Sequence, residues 1–194
     1  MPKTKQFDES EVLKAAKGVF SQKGYNGTSM DDLVQATGLS RSSIYDTFGD
    51  KHGLFLKCLD QYRCNQQQDL MQQQAKTNSP KKKIRIMFDY TVKDILADQE
   101  KKGCMLINIS MEMGCVDKEI AGVAVTSMEE MENSIYALIK EGQAIGEISK
   151  KFTPKALARH LYNSLAGLRI TGKNRADGDA LREIVKVTLS ILDE

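Results

Sequence analysis

The stretch from Thr28 to Phe48, TSMDDLVQATGLSRSSIYDTF, constrains this chain more than any other, because it reads as two short helices joined by a three-residue turn. Ser29 is placed to cap a helix with apolar positions Met30, Leu33, Val34 and Ala36, and Asp32 stands three residues on to close a capping box. Gly38 in Thr37-Gly38-Leu39 can take positive φ at little cost and turn the chain. Ser40 caps the second helix, and Leu39 and Ile44 are spaced as a hydrophobic staple. That helix has a minimal core face, Ile44 and Phe48, and is otherwise polar. A short helix with small hydroxyls and a forked donor near its start suits the major groove. Ser40 and Ser43 suit phosphate oxygens, Arg41 a guanine edge or a phosphate, and Tyr45 and Thr47 further phosphates. A solvated helical hairpin in an ordinary bundle would share the bare pattern, so the flanks decide.

In front of it, Phe7, Asp8 and Glu11 are spaced as staple and capping box, and Val12, Ala15, Ala16, Val19 and Phe20 repeat at helical spacing up to Gly24. Behind it, Gly49 and Asp50 end one helix and cap a fourth, whose first residue, Lys51, could meet a phosphate. The run FDESEVLKAAKGVFSQKGYNGTSMDDLVQATGLSRSSIYDTFGDKHGLF thereby resembles the N-terminal DNA-binding domain of the tetracycline-repressor (TetR/AcrR) family. The resemblance rests on Phe20, Gly24, Tyr25, Thr28 and Ser29 in the first loop and on Gly38, Leu39, Ser40, Ile44, Tyr45, Phe48 and Lys51 beyond it. It implies a homodimeric, all-helical, ligand-responsive transcriptional regulator, usually a repressor, with an activator of the same fold as an alternative, contacting double-stranded operator DNA. By motif position the contacts would come from Thr28, Ser40, Arg41, Ser42, Ser43, Tyr45, Thr47 and Lys51. Ser42 departs from a common glycine, and His52 and Gly53 from the usual residues after the lysine.

Charge adds little. Over residues 1–52, seven cations (Lys3, Lys5, Lys14, Lys17, Lys23, Arg41 and Lys51) face seven carboxylates (Asp8, Glu9, Glu11, Asp31, Asp32, Asp46 and Asp50), so placed donors must do what bulk charge cannot. Lys3 and Lys5 stand on an N-terminal arm that could reach DNA or simply be solvated.

The rest of the chain reads as an all-α second part, about nine helices in total, with a DNA-binding domain at 1–58 and an effector-binding and dimerisation domain at 59–194. With 194 residues and 41% hydrophobic content a sizeable core is available, and no apolar run is long enough for a membrane span. MPKTKQFDESE lacks a secretory core, and Cys58, Cys64, Cys104 and Cys115 show no metal-ligand spacing; reduced thiols in the cytoplasm, and neither metal nor cofactor, are expected. Only His52 and His160 supply imidazole and no catalytic motif is recognisable, so an enzyme is not expected.

The Gln-rich segment NQQQDLMQQQ is read as the solvated end of the fourth helix. Ser79-Pro80 starts the fifth, with Lys81, Lys82 and Lys83 on a solvated face. Met87, Phe88, Met105, Met111, Met128 and Met131 offer an adaptable lining for a small apolar or amphipathic effector, against ordinary core packing as the alternative. Bound among the fifth to seventh helices, such an effector would move the fourth. Cys104 sits at a helix start behind Lys101 and Lys102, a setting that favours a reactive thiolate; sensing of oxidants or electrophiles is thus an alternative to a packed thiol. Leu157, Leu161, Leu165 and Leu168, and after a Gly-containing break near residues 172–178 Ile184 and Thr188, form two apolar stripes that could pack on their own core or on a symmetry mate; the resemblance favours a dimer interface. His160 beside them is expected to be a packed polar residue.

Overall fold

The computed structural model describes residues 7–193, and among these there are nine α-helices and no strand. They are α1 (Glu9–Lys23), α2 (Met30–Thr37), α3 (Arg41–Phe48), α4 (Lys51–Gln74), α5 (Pro80–Ala97), α6 (Met105–Met113), α7 (Lys118–Ala144), α8 (Pro154–Asn174) and α9 (Gly178–Ser190). Lys3 and Lys5 lie outside the described residues.

Helix starts follow the local chemistry. Ser29 and Asp32 close a reciprocal capping box on α2, Ser40 accepts from the Ser43 N–H, and Asp50 accepts from the Gly53 N–H at 2.7 Å. Gly38 ends α2 in the left-handed region at φ 71°, where a side chain would be strained. Pro80 and Pro154 each occupy a first turn behind the caps Ser79 and Thr153.

Two apolar cores organise the packing. One joins Val12, Ala16 and Phe20 of α1, Leu33, Ile44 and Phe48 of α2 and α3, and Leu54, Phe55, Cys58 and Leu59 of α4; Met105, Ile109 and Met113 of α6 and Ile120 of α7 complete it. The other joins α5, the far part of α7, α8 and α9 through residues such as Ile84, Phe88, Ile135, Leu161 and Leu181. The division expected at residue 58 is therefore crossed by packing: α6, distant in sequence, shares the core of the N-terminal head.

The terminal leucines require a correction. Leu157, Leu161, Leu165 and Leu168 are all buried within the chain's own second core, as is Thr188, so their side chains form no association surface. A four-residue stripe states that one face of a helix is covered, and here α5 and α7 do the covering. The break expected near residues 172–178 is present but shorter, since α8 runs on to Asn174 and α9 begins at Gly178. A Cβ on Gly172 would lie 2.3 Å from Ile95 Cγ2; this glycine permits close approach of α8 to α5. His160 is exposed rather than packed.

Candidate nucleic-acid interface and effector cavity

On α3, Ile44 and Phe48 anchor the helix in the head core while Arg41, Ser42, Tyr45 and Asp46 are exposed, together with the cap Ser40; Ser43 and Thr47 are half-buried. The Ser40 hydroxyl stands 2.9 Å from that of Ser42 and 2.8 Å from that of Ser43, a cluster of hydroxyls at a helix N-terminus. Arg41 extends back over the turn to Asp31, Nη2 to Oδ1 at 2.7 Å, with both side chains largely exposed. Such a pair is weak in water and yields readily to a phosphate or a base edge.

Two expected contacts are placed otherwise. Thr28 is buried, and its hydroxyl donates to the Gly24 carbonyl at 2.6 Å, closing the α1–α2 loop. Lys51 donates to the carbonyls of Tyr25 (3.1 Å) and Thr28 (2.9 Å), with its ammonium 4.4 Å from the Tyr25 ring centroid. Both side chains hold the loop; sequence spacing could not show this because the partners are backbone atoms.

The opposite side of that loop is held by a residue the sequence did not single out. The Glu112 carboxylate on α6 accepts from the backbone N–H groups of Tyr25 (3.0 Å) and Asn26 (2.7 Å). Gly24, at φ 74°, makes room: a Cβ there would lie 2.7 Å from Glu112 Oε2. His52 on α4 adds a second tie, its Nε2 lying 2.9 Å from Asp117 Oδ2 at the cap of α7. Backbone hydrogen bonds from Ile120 first, and then His52 nearby, hold the Asp117 carboxyl below the usual range.

The methionines do not converge on one site. Met87 and Met131 line a cavity of about 200 Å³, and Met128 and Met131 an adjoining one of about 250 Å³. Phe88 is fully buried in the second core, Met105 is buried in the head core, and Met111 is 83% exposed on the outer side of α6. These three are thus displaced from the expected pocket: Phe88 of α5 is packed in the second core, and α6 faces the head, so that only its Leu106, Ile107 and Ser110 line these two cavities. The Gln-rich half of α4 is correspondingly more than a solvated end: Gln66, Leu70 and Gln74, four residues apart, face the first cavity.

The cavities meet at polar groups. Both are lined by Arg169 of α8, and Tyr62 and Cys104 line the larger. Arg169 Nη1 donates to Asp94 Oδ2 at 2.8 Å, and the Tyr62 hydroxyl lies 3.7 Å from Cys104 Sγ. Burial pushes the Tyr62 phenol well up, so it stays a donor. Cys104 is the N-cap of α6, is nearly buried, and makes no side-chain cap bond. The sequence signal for Arg169 was present: it continues the Leu157, Leu161, Leu165 series by another four residues, placing a cation on an inward face.

Residues 12–58 match the family model of bacterial regulatory proteins of the tetR family, and residues 80–188 match the tetracyclin repressor-like C-terminal domain. The HTH-type transcriptional regulator YezE of Bacillus subtilis is 34% identical over 194 residues, covering 100% of both chains. The HTH-type transcriptional repressor ComR of Escherichia coli is 28% identical, covering 98% of this chain and 91% of its own. Among solved structures, a TetR regulator from Chloroflexus aurantiacus superposes with TM-score 0.87 at 20% identity, over 95% of this chain and 93% of its own. A cysteine mutant of CifR complexed with 26-bp double-strand operator DNA gives 0.85 at 22%, over 98% and 99%. Helical architecture, helix-turn-helix head and full-length similarity agree: the chain belongs to the tetR family of bacterial transcriptional regulators.

Proposed function

We propose that this protein is a homodimeric repressor that binds operator DNA through α2 and α3 and is released when a small apolar or amphipathic effector enters the cavities beside α4. One observation carries the reading. The first half of α4 supplies Leu54, Phe55, Cys58 and Leu59 to the head core, and its second half supplies Gln66, Leu70 and Gln74 to the cavity wall. A single rigid element is thus shared by the DNA-contacting head and the space an effector would fill, and cavity occupancy and head position become linked equilibria. A tenfold loss of operator affinity needs an effector preference of only about 1.4 kcal/mol for the arrangement whose recognition helices are mis-spaced.

The exposed Ser40, Arg41, Ser42 and Tyr45 and the half-buried Ser43 and Thr47 form the DNA face, with Thr28 and Lys51 acting through the loop they hold. Dimerisation falls to the outward faces of α8 and α9, where Ile170, Ile184 and Val187 are exposed. Operators selected from random duplex DNA with the purified protein supply the assay. Arg41→Ala and Tyr45→Ala should each weaken binding by about 1–3 kcal/mol with unchanged folding; operator binding indifferent to both substitutions sinks the reading. Effector release is tested by titrating cavity-binding compounds into the operator complex and looking for freed DNA.

A second reading, an oxidant or electrophile sensor, is favoured by the placement of Cys104 Sγ on a cavity wall. Hydrogen peroxide would convert its thiol to the sulfenic acid with release of water. Operator affinity of Cys104→Ser should then resist peroxide that disarms the parent protein, and equal loss in both excludes it.

A further inference from the structure

Arg169 is the least expected residue in the second half of the molecule. It follows directly on Leu168 and stands one turn beyond Leu165, beside the covered face of α8, with only 16% of its side chain exposed. A guanidinium has five N–H donors and is always charged. Asp94, itself 39% exposed, takes one bond, and no other hydrogen-bond partner of Arg169 exists among the described residues. None of its nitrogen atoms is both sealed away and without a partner, and the residue lines both of the methionine-containing cavities. Burying a cation on a leucine stripe carries a desolvation cost that one rim carboxylate offsets only in part.

The surroundings are asymmetric. The cavities run along Met87, Leu106, Met128 and Met131. Arg169 also lines a cleft of about 300 Å³ together with Lys17, Lys101, Lys102 and Lys173 and with Asp94 and Asp98. Asp98 keeps its charge while accepting from the Gly103 N–H at 2.7 Å, and Lys102 pairs with Glu100, yet the four lysines with Arg169 still outnumber these carboxylates around the cleft. Field and geometry agree on a negatively charged head at the junction and an apolar body beyond it.

We infer that the effector is an amphipathic organic anion whose carboxylate pairs with Arg169 while its apolar chain lies along the methionine-lined cavities, an inference that rests on the effector-release reading above. Hexanoate, octanoate and decanoate, with decanol and decylamine as chain-matched controls, are the probes, titrated calorimetrically into the full chain.

Decanoate should bind at least tenfold tighter than decanol, because a charge-assisted pair in a partly desolvated site is worth that factor. Arg169→Met should erase the preference while leaving decanol affinity unchanged, and Asp94→Asn, which removes the competing carboxylate, should strengthen decanoate binding severalfold. No binding by any of the carboxylates, tighter binding of decanol or decylamine, or a preference that survives in folded Arg169→Met overturns the inference. Should Arg169→Met fail to fold, the Asp94→Asn arm decides, and unchanged decanoate affinity overturns it. Operator release separates the two levels: decanol releasing DNA where decanoate does not leaves effector release standing and removes the anion, whereas Arg169-dependent decanoate binding without DNA release does the reverse.

Discussion

Glu112→Ala should detach the head loop from α6 without disturbing either core. The carboxylate accepts two backbone hydrogen bonds, from the part-buried Tyr25 N–H at 3.0 Å and the exposed Asn26 N–H at 2.7 Å. Hydrogen bonds to a charged acceptor are worth about 1.5–3 kcal/mol when protected, and water replaces much of that where the donor is exposed. The Tyr25 bond therefore contributes most, and the local loss comes to about 2 kcal/mol. Lys51 still grips the Tyr25 and Thr28 carbonyls, so the loop should open locally while global unfolding changes less. Native-state hydrogen exchange reads this directly: the Tyr25 and Asn26 amides should exchange about 30-fold faster, with core amides of α5 and α8 unaffected. Glu112→Gln keeps one acceptor oxygen and should fall between. Unchanged exchange at Tyr25 and Asn26, or acceleration spread equally over the whole chain, refutes the assignment of Glu112 as the link between α6 and the DNA-binding head.

Leu161→Ala should cost about 2–5 kcal/mol in denaturant unfolding, because its side chain is fully buried in the second core, whereas Val187→Asp, at 73% exposure on α9, should leave unfolding of the isolated subunit nearly unchanged and instead shift sedimentation toward the monomer. Acid stability should carry the signature of Asp32. The Lys23 ammonium at 2.6 Å, followed by the Ser29 backbone and hydroxyl, lowers its carboxyl to about 2. The group is depressed in the folded state, so its contribution is present above the unfolded value near 3.8 and is lost as pH falls toward 2; Asp32→Asn should flatten the unfolding curve in that window. Burial pushes the Cys58 thiol up to about 12, so iodoacetamide should label exposed Cys64 and Cys115 in the native protein and reach Cys58 only on unfolding.

Local chemistry was written in the chain. Capping residues, turn glycines and apolar spacing act within one helical turn of themselves, so Ser29, Asp32, Gly38, Ser40 and Pro80 announce their helices in the sequence. The helix-turn-helix and the family followed from that density of local signals. Periodicity also marked which face of each helix is covered, but not by what. The leucines of α8 were legible as a buried stripe, and only the packing of α5 and α7 against them settled that the cover is the chain itself. Thr28 and Lys51 bear residue types fit for phosphate, yet backbone carbonyls brought within reach by folding engage them. Glu112 is 86 and 87 residues from its two partners, and Arg169 is 75 from Asp94. Sequence alone fixes what each side chain is able to bind; the tertiary structure decides which partner lies within about 3 Å, because hydrogen bonds and ion pairs act over that range while chain separation carries no information about it.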